Sequence, residues 1–128
     1  MFDASQLVWT REPAACTISA DAIEVTTSPH TDLWQRTYYH FRNDTADVKS
    51  MWYRLSRRED DYCIECSRDG RRFSQMRVCH MWEGAGSIRF GIYACSPEDS
   101  SFVARFTGMD VTECKWLPHD GQQPDATE

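Results

Sequence analysis

The sequence predicts an all-β fold, a sandwich or barrel of short antiparallel strands, and three observations carry the prediction. Apolar and polar residues alternate in runs of roughly five to eight residues, helical periodicity is hard to find anywhere, and turn signals return every 8–12 residues or so. At 128 residues, 41% hydrophobic, with Trp 5, Tyr 5 and Phe 6 against only 6 Gly, the chain is expected to bury one ordinary core as a single domain. It contains no internal repeat and no low-complexity segment.

Each expected element follows from local chemistry. "AACTIS" and "AIEVTT" read as a hairpin joined at Ala20-Asp21, and "TYYHF" as a further strand, with Tyr38 and His40 facing away from Tyr39. "MWYRLS" sends Met51, Tyr53 and Leu55 to one side and Trp52, Arg54 and Ser56 to the other. "YCIECS" alternates Tyr62, Ile64 and Cys66 against Cys63 and Glu65. Asp69-Gly70 in "SRDGRRF" is the strongest hairpin cue, because tight type I′ turns need positive φ, and "FSQMRVCH" is the returning strand. "SIRFGIYAC" reads as a strand ended by Ser96-Pro97. "SFVARF" sets Phe102, Ala104 and Phe106 against Val103 and Arg105, and "MDVTECKW" reads as the closing strand. That makes about ten strands over residues 1–117, followed by a polar, turn-rich tail at 118–128.

The net charge of −6 argues against nucleic acid or an anionic membrane as partner, since phosphate recognition needs a basic face. Between Lys49 and Arg77 eight of the fourteen basic residues mix with Glu59, Asp60, Asp61, Glu65 and Asp69, which suits a solvated sheet face with paired charges. No apolar run approaches a membrane span and the N-terminus lacks a signal-peptide layout, so the expected location is cytoplasmic. In that reducing setting the six cysteines are expected as thiols, mostly buried in place of small apolar residues.

"TSPHTDLWQRTYYHF", "MWYRLSRREDDYCIECSRDGRRFSQMRVCH" and "FGIYACSPEDSSFVARFTGMDVTECKW" together resemble the DUF1349 family. The resemblance runs from about Leu7 to Trp116 and rests on T-D-x-W-Q-R-T, S-x-D-G-x-x-F and G-x-Y-x-C-S-P. It implies a concanavalin A-like β-sandwich of jelly-roll type, and the family includes a fungal protein named as a regulator of enolase. One departure is large. Members carry a central stretch with Asp-Gln-x-Gly, Trp-Lys and Ser-Asp-Trp segments, whereas this chain passes from Phe41 to Met51 directly, as though by an internal deletion near residues 43–49. A sandwich shares one core between its sheets, so uncovering ~1,000 Å² of apolar surface would cost on the order of 25 kcal/mol, more than the roughly 5–15 kcal/mol that holds a domain. The sheets must then re-pair into a smaller sandwich, be completed by another copy of the chain through the exposed face, or be poorly stable.

Chemistry-bearing patterns are few. Cys63, Cys66, Cys79 and His80 have a spacing that invites zinc, but strand parity sends Cys63 and Cys66 to opposite faces and Cys79 and His80 likewise, so no metal site and no cofactor are expected. Glycoside hydrolysis needs two carboxylates opposed across ~5–9 Å; Glu59 and Asp61 have an i, i+2 spacing but sit where "RREDDY" turns between strands. No nucleophile elbow or triad pattern occurs, so the expectation leans away from an enzyme. Asp32, Trp34, Arg36, Tyr38 and His40 share one parity if 32–40 is a single strand, and aromatics beside planar hydrogen-bonding groups suit a sugar. The same residues could serve the core, with Trp34 on the inner face and Asp32 paired to Arg36. The leading expectation is a non-catalytic module binding a carbohydrate or other ligand; a protein-interaction or regulatory module is the alternative.

Overall fold

Two hairpin-built sheets carry the fold in the computed structural model, which describes residues 3–31, 48–84 and 86–117. The chain divides into two compact units, Met1–Phe41 with Gly91–Thr112 and Arg42–Phe90 with Glu113–Glu128. The described residues form six strands, all antiparallel, and a single 3-10 turn at Ala4–Gln6. The all-β expectation therefore holds, and two sheets are the parts from which a β-sandwich is assembled. The expected 37–41 strand and the 118–128 tail lie outside the described residues.

In the first unit β1 (Ala15–Ile18) and β2 (Ala22–Thr26) form the anticipated hairpin, and β6 (Val103–Thr107) adds to the far side of β2. Ser19 N–H donates to Ala22 O at 2.8 Å across the turn. Ile23 stands opposite Ile18 on one side and Phe106 on the other, and Val25 opposite Cys16 and Ala104. Ala22, Ile23 and Val25 are the buried apolar residues here. Thr27, just past β2, is 2% exposed and anchors the chain before β6: its Oγ1 accepts the Phe102 N–H at 3.0 Å and lies 2.6 Å from Ser96 Oγ. A hydroxyl has one proton and two lone pairs, so this set satisfies a buried polar group fully.

The second unit is β3 (Trp52–Arg58), β4 (Asp61–Ser67) and β5 (Ser74–His80) in that spatial order. Glu59 and Asp60 alone separate β3 from β4, with Glu59 at φ 50°. Between Ile64 and Glu65 the β4–β5 register slips, so Arg77 faces Ile64, Gln75 faces Glu65 and Met76 is left over. Such a bulge bends the strand and flips the parity beyond it. The buried apolar residues of this unit are Tyr62 and Ile64 on one face of β4 and Cys63 on the other.

The β4–β5 connection runs from Arg68 to Phe73, longer than the two-residue turn that Asp-Gly suggests, because Asp69 organises a wider loop. Its Oδ1 accepts N–H groups from Arg71 and Arg72 at 2.8 and 2.9 Å and the Ser67 hydroxyl at 2.9 Å. The Arg72 and Arg71 amides, with Ser67, hold the Asp69 carboxyl below its usual range. Gly70 supplies the positive φ of 68° at the centre of this loop, and a Cβ there would meet the Trp52 indole at 3.0 Å. Gly70→Ala should therefore lose about 1–2 kcal/mol from the left-handed backbone alone, and more as the indole shifts, read as a lower denaturation midpoint with altered tryptophan fluorescence.

Two expected strands are not formed among the described residues. Residues 87–96 and 109–116 alternate in sequence but have no ladder among the described residues. Alternation describes the two faces of a segment; a strand also needs a neighbour for its N–H and C=O groups. The cysteines differ from expectation as well: all six are thiols where described, but only Cys63 is buried, while Cys16 and Cys114 are exposed. Among the described residues six apolar side chains are buried and fourteen large ones are exposed, so the cores are small for a chain of this hydrophobicity.

Candidate functional site

The second sheet gathers polar and aromatic groups at the end bearing the β3–β4 turn. The register sets Arg58 opposite Asp61 and Asp61 opposite His80, so three polar side chains stand in one row across the sheet. His80 Nδ1 lies 2.8 Å from Asp61 Oδ1, with both side chains somewhat over two-fifths exposed. With the ring neutral and Nδ1–H donating to the carboxylate, Nε2 is the acceptor, and Asp61 sets both the tautomer and the ring orientation.

Aromatic rings flank the row. Trp82 meets His80 edge to face, with centroids 4.7 Å apart and planes at 79°, and is itself 83% exposed. Arg58 lies over the Trp116 ring at 5.0 Å and also donates to the Trp116 carbonyl. The Trp82 turn is held from below. Arg57 donates to Gly84 O and Gly86 O, each at 2.6 Å, Tyr62 O–H donates to Gly84 O at 3.2 Å, and Met81 N–H donates to Asp60 O at 2.8 Å. An exposed indole is thus carried on a turn fastened at four points to the sheet.

Further along the same face Glu65 receives Arg54 through two bonds, Nε to Oε2 at 2.7 Å and Nη2 to Oε1 at 3.0 Å. The guanidinium also covers the Phe73 ring at 4.2 Å, which gives Phe73 the packing role its place in the hairpin motif suggests. Cys63 lies between this pair and the Asp61–His80 pair, opposite Ser56. Burial pushes its thiol up, with Glu65 adding to the effect, so Cys63 stays protonated and is a poor nucleophile. Cys63 and Cys66 fall on opposite faces of β4, and among the described residues no group of three His, Cys, Asp or Glu converges on a metal-sized position. Beside the Asp69 loop, Met51, Cys66, Ser67, Arg68, Asp69, Arg72 and Ser74 line an open depression of about 400 Å³, whose carboxylate is already committed to loop amides.

Asp32, Trp34, Arg36, Tyr38 and His40 lie outside the described residues. The Asp61–His80–Trp82 group was not singled out from the sequence, where Asp61 read as a turn acid and His80 as a member of a rejected zinc pattern. The signal was present. Two hairpins in succession, with turns at Glu59-Asp60 and Asp69-Gly70, bring the start of β4 beside the end of β5 whatever the exact register.

A family model described as "Protein of unknown function (DUF1349)" matches the chain over residues 9–48 and 44–114. The chain belongs to that family. The two matched stretches meet just ahead of β3 and between them include every strand of both sheets. No curated protein and no solved structure matched the chain.

Proposed function

We propose that this DUF1349 protein is a non-catalytic carbohydrate-binding module whose contact surface is Trp82 with the Asp61–His80 pair. The observation that carries the reading is the 83% exposed indole of Trp82, fixed edge-on to a histidine that a carboxylate already orients. A pyranose offers C–H bonds on one face and hydroxyls around its rim; the first stack on an indole, the second need planar donors and acceptors held in advance. His80 and Asp61 supply such groups on strands, so little side-chain entropy is lost on binding. Hydrolysis would call for a second carboxylate facing the first across the bond, whereas the Asp61 carboxylate in this cluster is engaged by His80.

The test is glycan-array binding of the wild-type protein, Trp82→Ala and Trp34→Ala. Trp82→Ala should abolish the signal while leaving the denaturation midpoint within about 0.5 kcal/mol of wild type, as for other exposed substitutions. Binding that survives Trp82→Ala and disappears with Trp34→Ala would move the site to the 32–40 stretch. The alternative, a protein-interaction module, is favoured by the exposed apolar residues of both sheets, and predicts capture of a protein partner that added sugar leaves unchanged.

A further inference from the structure

The second sheet separates its charges by end. Glu59, Asp60 and Asp61 lie at the β3–β4 turn, whereas Arg68, Arg71 and Arg72 lie on the β4–β5 loop. The seven residues of β4 run between the two groups, a span of roughly 20 Å at the rise of a strand. That exceeds the Debye length of about 8 Å at physiological salt, so the acids at one end do little to neutralise the arginines at the other. Glu65, the next acid along β4, is already paired with Arg54. Asp69 is the one acid within Arg68–Phe73, against three arginines. Among the described residues none of those three guanidinia has a hydrogen-bond or ion-pair partner, so the pairing of charges stops at this loop.

We propose that the depression beside this loop binds the oxyanion of a phosphate or sulfate monoester. Arg68 and Arg72, two of the uncommitted arginines, line it together with Ser74. A guanidinium presents its N–H donors in a planar fork that matches such an oxyanion, and two forks with a hydroxyl can reach several oxygens of one tetrahedral group. The backbone that carries them is fixed before any ligand arrives. Asp69 Oδ1 accepts the Arg71 and Arg72 amides and the Ser67 hydroxyl, and Gly70 N–H donates to Ser67 Oγ at 2.9 Å. A loop ordered in advance lowers the entropy lost on binding. The depression, about 400 Å³, has room for more than one small anion, and part of its wall is apolar. Met51 and Cys66 line it, and Tyr53, which is 57% exposed, stands opposite Cys66 on the same face of the ladder. A monoester with a small organic body suits both parts, its oxyanion at the arginines and its carbon against thioether, thiol and ring. This site lies at the other end of the sheet from Trp82 and does not rest on the carbohydrate reading.

Titration of the ¹⁵N-labelled full chain with phenyl phosphate, phenyl sulfate and phenol, followed by amide chemical shifts at constant ionic strength, tests this. Both esters should give saturable shifts centred on residues 66–74, and phenol, which lacks the oxyanion, should give none. Arg68→Gln and Arg72→Gln should each weaken ester binding at least about tenfold, the scale of one charge-assisted hydrogen bond. Both side chains are exposed, so the variants should keep the wild-type denaturation midpoint. Arg11→Gln, an exposed arginine of the first unit, should bind the esters as wild type does, and so should Trp82→Ala, which separates this site from the sugar surface. Tighter binding of the phosphate ester would assign the site to the dianion; equal affinities would assign it to either monoester. The absence of saturable shifts with both esters would overturn the proposal. Ester binding unchanged in both Arg68→Gln and Arg72→Gln would overturn it as well.

Discussion

Tyr62→Ala is expected to lower the stability of the second unit by about 3–5 kcal/mol, the range for deleting a large buried aromatic. Tyr62 is 3% exposed, sits on the central strand opposite Arg57 and Cys79, and shares its face of β4 with the buried Ile64. The hydroxyl donates to Gly84 O, the turn carbonyl that Arg57 also holds, so the same substitution loosens the support under Trp82. Tyr62→Phe separates the two effects: it keeps the ring and removes one neutral hydrogen bond, which should cost only about 1 kcal/mol. Urea melts of both variants give the comparison. Equal midpoints for Tyr62→Ala and wild type would show that the sheet is not organised around this side chain.

Ile23→Ala should cost the first unit about 3–4 kcal/mol. Ile23 is 1% exposed, the most deeply buried large side chain described, and it touches both neighbouring strands through Ile18 and Phe106. A loss of that size is a large part of the roughly 5–15 kcal/mol that stabilises an ordinary domain. Amide exchange should report it directly, with exchange of the β2 amides accelerating on the order of 10²-fold as the opening free energy falls. A conservative Ile23→Val change should shift exchange far less, because only one methylene is lost. Exchange in β1, β2 and β6 that is the same in Ile23→Ala as in wild type would place the core of this unit elsewhere.

Local chemistry made much of the fold legible. The β1–β2 hairpin announced itself through two alternating runs around Ala20-Asp21, and β3, β4 and β5 through alternation broken at "RED" and "RDG". In each case the strand and its partner are near in sequence, so the turn residues also settle which segments pair. The failures share the opposite property. Residues 87–96 and 109–116 alternate as well as β6 does, but their hydrogen-bonding neighbours are not set by any adjacent turn. β6 itself pairs with β2 across most of the chain, a contact that no local signal names.

The site followed the same division. Asp61 and His80 are nineteen residues apart, and each alone looks ordinary: an acid after a turn, a histidine at a strand end. Only the ladder makes them neighbours, and the bulge at Ile64/Glu65 decides which β5 residues stand with Asp61 and which with Glu65. Parity counted straight along "FSQMRVCH" ignores that bulge and so misassigns half of the strand's faces.

By itself, then, the sequence determined the class, the family and the three hairpins, because periodicity, turn chemistry and motif all act over a few residues. Tertiary structure alone decided that β6 pairs with β2 in the first sheet, that two alternating segments join no ladder among the described residues, and that Asp61, His80 and Trp82 meet. Those outcomes depend on which backbone groups find partners, and pairing between distant segments is settled by the whole chain's competition to satisfy them.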